Sequence, residues 1–151
     1  MKQKILSYLP GDHPWQNYLK YYDCLPSTNN TAKELAIAGA PEGTVVIAGR
    51  QTAGRGRLGR SFHAPEHLGL YFSVILRPNC KPEDLMHLTC CVGVAMCNAV
   101  EKAAGIRPQI KWINDLIVNR RKLGGILTEL SVGADGYVEY AIVGIGINCC
   151  Q

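Results

Sequence analysis

The sequence contains no Cys-x-x-Cys pair, no internal repeat, no Ser/Gly/Pro-rich linker and no apolar run approaching the roughly 20 residues of a membrane-spanning helix. Each absence removes a class of protein. The seven cysteines, Cys24, Cys80, Cys90, Cys91, Cys97, Cys149 and Cys150, are an odd set without metal-ligand spacing, which argues against both a zinc site and a disulfide framework. Free thiols in this number fit a reducing cytosol. The N-terminal MKQKILSYLPGDHPW carries lysines but only a short apolar run before Pro10, so it does not read as a secretory leader. A soluble, cytoplasmic protein without a membrane partner is expected. Net charge is also scarce: 16 Lys+Arg against 12 Asp+Glu leave +4, too mild for bulk nucleic-acid binding unless the basic residues cluster. What is present is enough apolar material for one packed core, 47% hydrophobic residues in a chain of 151, and too little length for a second domain.

The pattern along the chain mixes helical and strand periods. STNNTAKELAIAG (27–39) places Ala32, Leu35 and Ala36 on one helical stripe, with Ser27 or Thr28 as N-cap and Gly39 as stop. TVVIA (44–48) and GLYFSVIL (69–76) read as strands. The longest helix is predicted from Pro82, with Glu83 and Asp84 opposing its dipole, to Gly105, burying Leu85, Leu88, Val92, Met96, Ala99 and Ala103, with Cys91 and the neighbouring cysteines in the core. Strands follow at 108–113, 116–119, 123–131 and 137–148, with a hairpin signal at Asp135-Gly136. The expected fold class is α+β, a mixed, largely antiparallel sheet with helices packed on one face.

The basic residues do cluster. No acid lies between Glu42 and Glu66, whereas Arg50, Arg55, Arg57 and Arg60 all do. Glycines alternating with arginines let backbone N–H groups and guanidinium forks converge on one anion, a phosphate or a carboxylate. A solvated basic loop or an RGG-like nucleic-acid contact explains this segment alone equally well; the absence of a second basic stripe counts against nucleic acid. A linking segment of this length inside a domain is uncommon and usually functional or disordered, and its arginines, without an acid in the segment, predict mobility.

In KWIND (111–115), Lys111 interrupts apolar strand positions, either as a fixed charge for a carboxylate or phosphoryl oxygen or as a lysine whose head snorkels from the sheet. Asp115 is the one candidate for placing a divalent metal, and a simple turn residue otherwise. Gly124-Gly125 signals close approach by ligand or backbone, or a bulge. Arg120-Arg121-Lys122 reads as a charged hairpin turn. VGIGIN (143–148) strips side chains from one strand face and makes a floor for a flat ligand, without being a GxGxxG dinucleotide fingerprint. His63 and His67 have metal-like spacing only in a helix, which Pro65 prevents.

These segments, STNN, QTAGRGRLGR, KWIND followed by KLGGIL, and VGIGIN, stand in the order found in the catalytic domain of biotin protein ligases (biotin–[acetyl-CoA-carboxylase] ligases), which the chain closely resembles over nearly its whole length. The resemblance implies a class II aminoacyl-tRNA synthetase-like fold and a two-step, ATP- and Mg²⁺-dependent reaction. Biotin carboxylate attacks the α-phosphate of ATP, pyrophosphate leaves, and a lysine amine of a biotin-carrier domain of a biotin-dependent carboxylase then attacks the resulting biotinyl-5′-AMP. Residue by residue it implies that Ser27, Thr28, Asn29, Gln51, Gly54, Arg55, Gly56, Arg57, Lys111, Gly125, Gly144 and Gly146 contact biotin. Arg57, Arg60, Phe62, Lys111, Asn114 and Asn148 would contact the nucleotide, with Lys111, Arg55 and Arg57 catalytic. A homodimer is among the assemblies it allows.

The sequence departs from the family pattern in three places. Phe62 stands where the family usually has Trp, keeping a ring for adenine but losing an indole donor. Ile113 replaces the usual proline of KWPND, loosening the turn that aims Lys111 and Asn114. The chain reaches Gln151 just after the last motif, where relatives continue into further helices and a small C-terminal β-barrel, so residues 1–151 are expected to be a catalytic domain incomplete at its C-terminus. No helix-turn-helix precedes Ser27, and neither DNA binding nor repression is expected. The alternatives are a truncated chain that binds biotin or its adenylate with little turnover, and a lipoate ligase relative, which shares the fold.

Overall fold

The computed structural model describes residues 1–66 and 68–149. His67, Cys150 and Gln151 lie outside the described residues, and with them the His63/His67 spacing and one of the cysteines. Strands β1 (Leu19–Leu25), β2 (Val45–Gln51), β3 (Gly69–Leu76), β4 (Gln109–Lys111), β5 (Asp115–Val118), β6 (Arg121–Val132) and β7 (Val138–Asn148) form a 7-stranded sheet in the order β1-β2-β3-β7-β6-β5-β4. β1 and β2 pair in parallel, and the other neighbours are antiparallel. β7 runs through the middle, and its apolar residues are buried on both faces from Tyr140 to Ile147.

That two-sided burial sets the architecture. Val143, Ile145 and Ile147 of β7, with Leu116 and Ile126, pack against Leu88, Val92, Met96 and Cys97 of α4 (Leu88–Ala104). The same face continues through Leu19, Val45 and Ile47, covered by Ile5 and Leu6 of α1 (Lys2–Leu6) and Trp15 of α2 (Trp15–Tyr18). The α+β class, with helices packed on one face of a mixed, largely antiparallel sheet, is thus present, and the other face carries one further helix. There Tyr140 and Ile142 meet Ala32 and Ala36 of α3 (Thr28–Ile37). Beyond α3 the next residues on that face of β7 are Gly144 and Gly146, and the sheet lies open where side chains would otherwise stand.

Several local expectations change. The helix predicted from Pro82 is divided: Pro82–Leu85 form a separate 3₁₀ turn, closed when the Asp84 carboxylate accepts the Lys81 N–H at 3.0 Å, and α4 starts only at Leu88. Ala99, Ala103 and Cys91 are exposed, because α4 touches the sheet through Gly93 and Cys97, and Ile110 and Ile126 pack over Gly93. Ser27 is the N-cap of α3 by position, but its hydroxyl makes no cap bond. Among the described residues no helix is long and apolar enough to cross a membrane.

Candidate active site

The open patch of sheet is the floor of a cleft of about 200 Å³. Its lining brings together most of the residues singled out from the sequence: Ser27, Thr28 and Asn29 at the start of α3, Gln51 at the end of β2, Arg55, Gly56, Arg57, Arg60 and Phe62 from the Gly/Arg segment, Asn114 and Asp115 from KWIND, and Gly125, Gly144 and Gly146 from the sheet. Gly54, Lys111 and Asn148 do not line it.

The α3 end of the cleft is a closed hydrogen-bond network. Gln51 Oε1 accepts the Thr28 N–H at 2.8 Å and lies 3.2 Å from the Thr28 hydroxyl. The Ser73 hydroxyl, fully buried on β3, lies 2.6 Å from Asn29 Oδ1 and 2.8 Å from Thr28 Oγ1. Asn29 Nδ2 donates to Glu129 Oε2 at 2.7 Å and to the Leu127 carbonyl at 3.3 Å. Asn29 reaches these partners because position 144 is glycine: a Cβ there would overlap the Asn29 amide. Replacing Ser73 with alanine would leave the buried Asn29 Oδ1 without its donor, and a loss of about 1–3 kcal/mol in urea-unfolding stability is expected. An unchanged midpoint would show that the network does not depend on Ser73.

The Gly/Arg segment is not a loose loop. It leaves β2, folds back on itself with bridges Gln51↔Ala64 and Arg55↔Ser61, and turns at Leu58 and Gly59, both at positive φ. Phe62 N donates to Gly54 O at 2.8 Å and Gly56 N to Arg60 O at 2.7 Å. Gly54 is therefore structural: it is buried, and a Cβ there would strike the Phe62 carbonyl. Although the segment holds no acid of its own, Glu129 of β6 supplies one, with Oε1 2.9 Å from an Arg55 guanidinium nitrogen. This corrects the expectation of unpartnered, mutually repelling arginines. Arg57 donates to Asn114 Oδ1 at 3.2 Å, which ties the arm to the KWIND turn.

Phe62 lies directly over Gly146, where a Cβ would come within 2.6 Å of its ring, and meets Tyr71 edge-on at 6.3 Å between centroids. The cation beside this ring is Lys122, with Nζ 6.0 Å from the centroid and 2.8 Å from Asp115 Oδ1. The turn itself, Asn119-Arg120, has both residues at positive φ, and Lys122 lies beyond it as part of the cleft wall. Lys111 is exposed at the cleft end of β4, in register with Asp115, and Trp112 beside it is 77% exposed. Asn148 donates to the Lys122 carbonyl at 3.3 Å instead of facing the cleft. Gly124, not Gly125, answers the close-approach reading, since a Cβ on it would strike the Gly146 carbonyl, while one on Gly125 would meet its neighbours at an ordinary 3.5 Å. A register shift is also present, in the β5–β6 pairing at Leu116/Ile117.

Ser73, Glu129 and Lys122 are site residues that sequence reasoning missed. Ser73 gave a signal, a hydroxyl on an inward position of an apolar strand, and so did Glu129, an acid between Thr128 and Leu130. Lys122 gave none, since it reads as the end of a charged turn.

A β-sheet floor cleared by glycines, walled by a helix N-terminus and flanked by a Gly/Arg arm, defines a class of cleft-bearing domain, and the sequence match places it: residues 21–148 match the biotin/lipoate A/B protein ligase family, and the chain belongs to that family. Within it, the chain is 48% identical over 134 residues to the bifunctional ligase/repressor BirA of Bacillus subtilis (strain 168), covering 89% of this chain and 41% of that protein. It is 36% identical over 126 residues to BirA of Escherichia coli (strain K12), covering 82% and 39%. The solved biotin protein ligase from Aquifex aeolicus in complex with biotin and ATP superposes with a TM-score of 0.72 at 36% identity, over 89% of this chain and 53% of that one. The chain thus spans about two fifths of the length of these curated relatives.

Proposed function

We propose that this chain carries the adenylate-forming site of a biotin–[acetyl-CoA-carboxylase] ligase. The observation that supports this most is the convergence of four separated segments, the α3 N-terminus, the Gly/Arg arm, the KWIND turn and the Gly144/Gly146 floor, on one cleft. In this reading Ser27, Thr28, Asn29 and Gln51 fix the uncharged end of biotin by directed hydrogen bonds. Arg57 brings positive charge over its carboxylate and the α-phosphate while Arg55 anchors the arm through Glu129, and Lys111 reaches the same oxygens from the rim. A carboxylate oxygen then forms a bond to the α-phosphorus as the bond to pyrophosphate breaks. The arm excludes water from the resulting mixed anhydride. A lysine amine of a biotin-carrier domain next attacks the acyl carbon, AMP departs and the amine loses its proton to solvent. Phe62, in contact with Gly146 and with Lys122 beside it, offers the ring on which the adenine rests, near Arg60 and Asn114.

The described residues do not fit a protein-held metal: no group of three or more His, Cys, Asp or Glu side chains converges, and Asp115 is engaged by Lys122. In this reading Mg²⁺ enters with the nucleotide as part of the substrate. Cys24, Cys80, Cys90, Cys91 and Cys97 are free thiols.

Calorimetric titration with biotin and with lipoate, together with biotin-dependent exchange of labelled pyrophosphate into ATP, tests the reading. Biotin should bind far more tightly than lipoate and should support exchange. Tighter lipoate binding, or no heat with biotin, would overturn it; binding without exchange would favour a biotin-binding chain with little turnover.

A further inference from the structure

Glu129 stands in β6 opposite Ile142 of β7, two residues beyond Leu127 and on the cleft side of the sheet. Its side chain is 30% exposed, and the carboxylate holds two elements at once. Oε2 accepts Asn29 Nδ2 at 2.7 Å and an Arg55 guanidinium nitrogen at 3.2 Å, while Oε1 lies 2.9 Å from the second terminal nitrogen of Arg55. The pairing of two guanidinium nitrogens with two carboxylate oxygens has the fork geometry that fixes direction as well as distance. Arg55 also donates to Asn30 Oδ1 at 2.8 Å, so the arm is bound to α3 and β6 together. Strand formation by β6 does not ask for an acid at this position, since the ladder runs through backbone groups and Glu is not a favoured strand residue.

We propose that Glu129 is a positioning residue that docks the Gly/Arg arm by its charge, holding Arg55 and Asn29 in the relative placement that closes the cleft. What the cleft binds rests on the biotin reading above; the docking contacts are made by the chain's own residues. Charge is what matters, because a glutamine of the same size would still accept the Asn29 amide while turning its own NH₂ donor or a neutral oxygen toward Arg55.

The test is amide hydrogen exchange in the ligand-free chain, read at Gly56 and Phe62, whose N–H groups bond across the arm. Glu129→Gln should speed exchange at these two amides by about two- to fivefold, the range expected for a half-exposed ion pair, while Ile126 and Val143 in the sheet exchange as before. Raising salt from about 0.1 M to about 1 M shortens the screening length from about 10 Å to about 3 Å. It should therefore speed arm exchange in the unmodified chain and have little effect in Glu129→Gln. Arg55→Gln changes a side chain that is 44% exposed, so it probes the same contact even if the Glu129 variant does not fold. It should give the same acceleration, and the double variant should add nothing further. Unchanged arm exchange, acceleration spread evenly over the sheet, or additive effects of the two substitutions would each overturn the proposal. A biotin titration separates the two readings. If the unmodified chain does not bind biotin, the functional assignment falls while the exchange data still decide the role of Glu129. If it does bind, Glu129→Gln should weaken biotin by a similar two- to fivefold factor.

Discussion

Lys111→Ala is expected to lower biotin-dependent pyrophosphate exchange by about 10² to 10³-fold, the loss typical of removing one donor aimed at developing charge, with no measurable loss of stability. Lys111 ends β4, paired in register with Asp115, which lines the cleft. Its side chain is exposed, and no ion pair engages it among the described residues. A side chain so placed contributes little to packing, so its removal reads out charge alone. The nearer lysine, Lys122, is already neutralised by Asp115 at 2.8 Å, which makes Lys111 the freer cation at this rim. Exchange assays beside thermal unfolding of the same preparation decide the matter: near-normal exchange by a well-folded variant would remove Lys111 from the reaction.

Gly144→Ala is expected to weaken biotin by between about fivefold and 150-fold, the equivalent of the 1–3 kcal/mol that overpacking ordinarily costs. The added Cβ meets the Asn29 amide, and the strand beneath cannot retreat because Gly144 is paired with Ser73 on one side and Leu127 on the other. Asn29 must therefore give way, breaking its bonds to Ser73 and Glu129 together. The same titration that measures biotin, with urea unfolding alongside, separates a displaced Asn29 from general loss of fold. Unaltered affinity would mean that Asn29 moves without consequence and does not contact the ligand.

Much of this molecule is written locally. GLYFSVIL, a short apolar run with aromatic and β-branched residues, forms β3 over the residues expected; Gly105 ends α4 in the left-handed region that favours glycine. The α+β class and the position of the α3 cap follow from the same short-range rules of period and capping. β1 is different: LKYYDCL has no clean alternation, and its place at the parallel edge of the sheet is decided by pairing with β2. The division at Met86-His87 is likewise invisible, because the apolar period runs straight across it.

By itself the sequence determined which residue types are available for the chemistry, glycines where a strand must be bare, arginines where an anion is to be met, and a hydroxyl and amide cluster at a helix start. Only the tertiary structure decided which of them meet. Glu129 answers Arg55 across 74 positions of chain and Ser73 meets Asn29 across 44; Lys122 lines the cleft and Asn148 does not. Those contacts depend on strand order and on which face of the sheet each position takes, and both are fixed by burial over the whole sheet, which no local window of sequence contains.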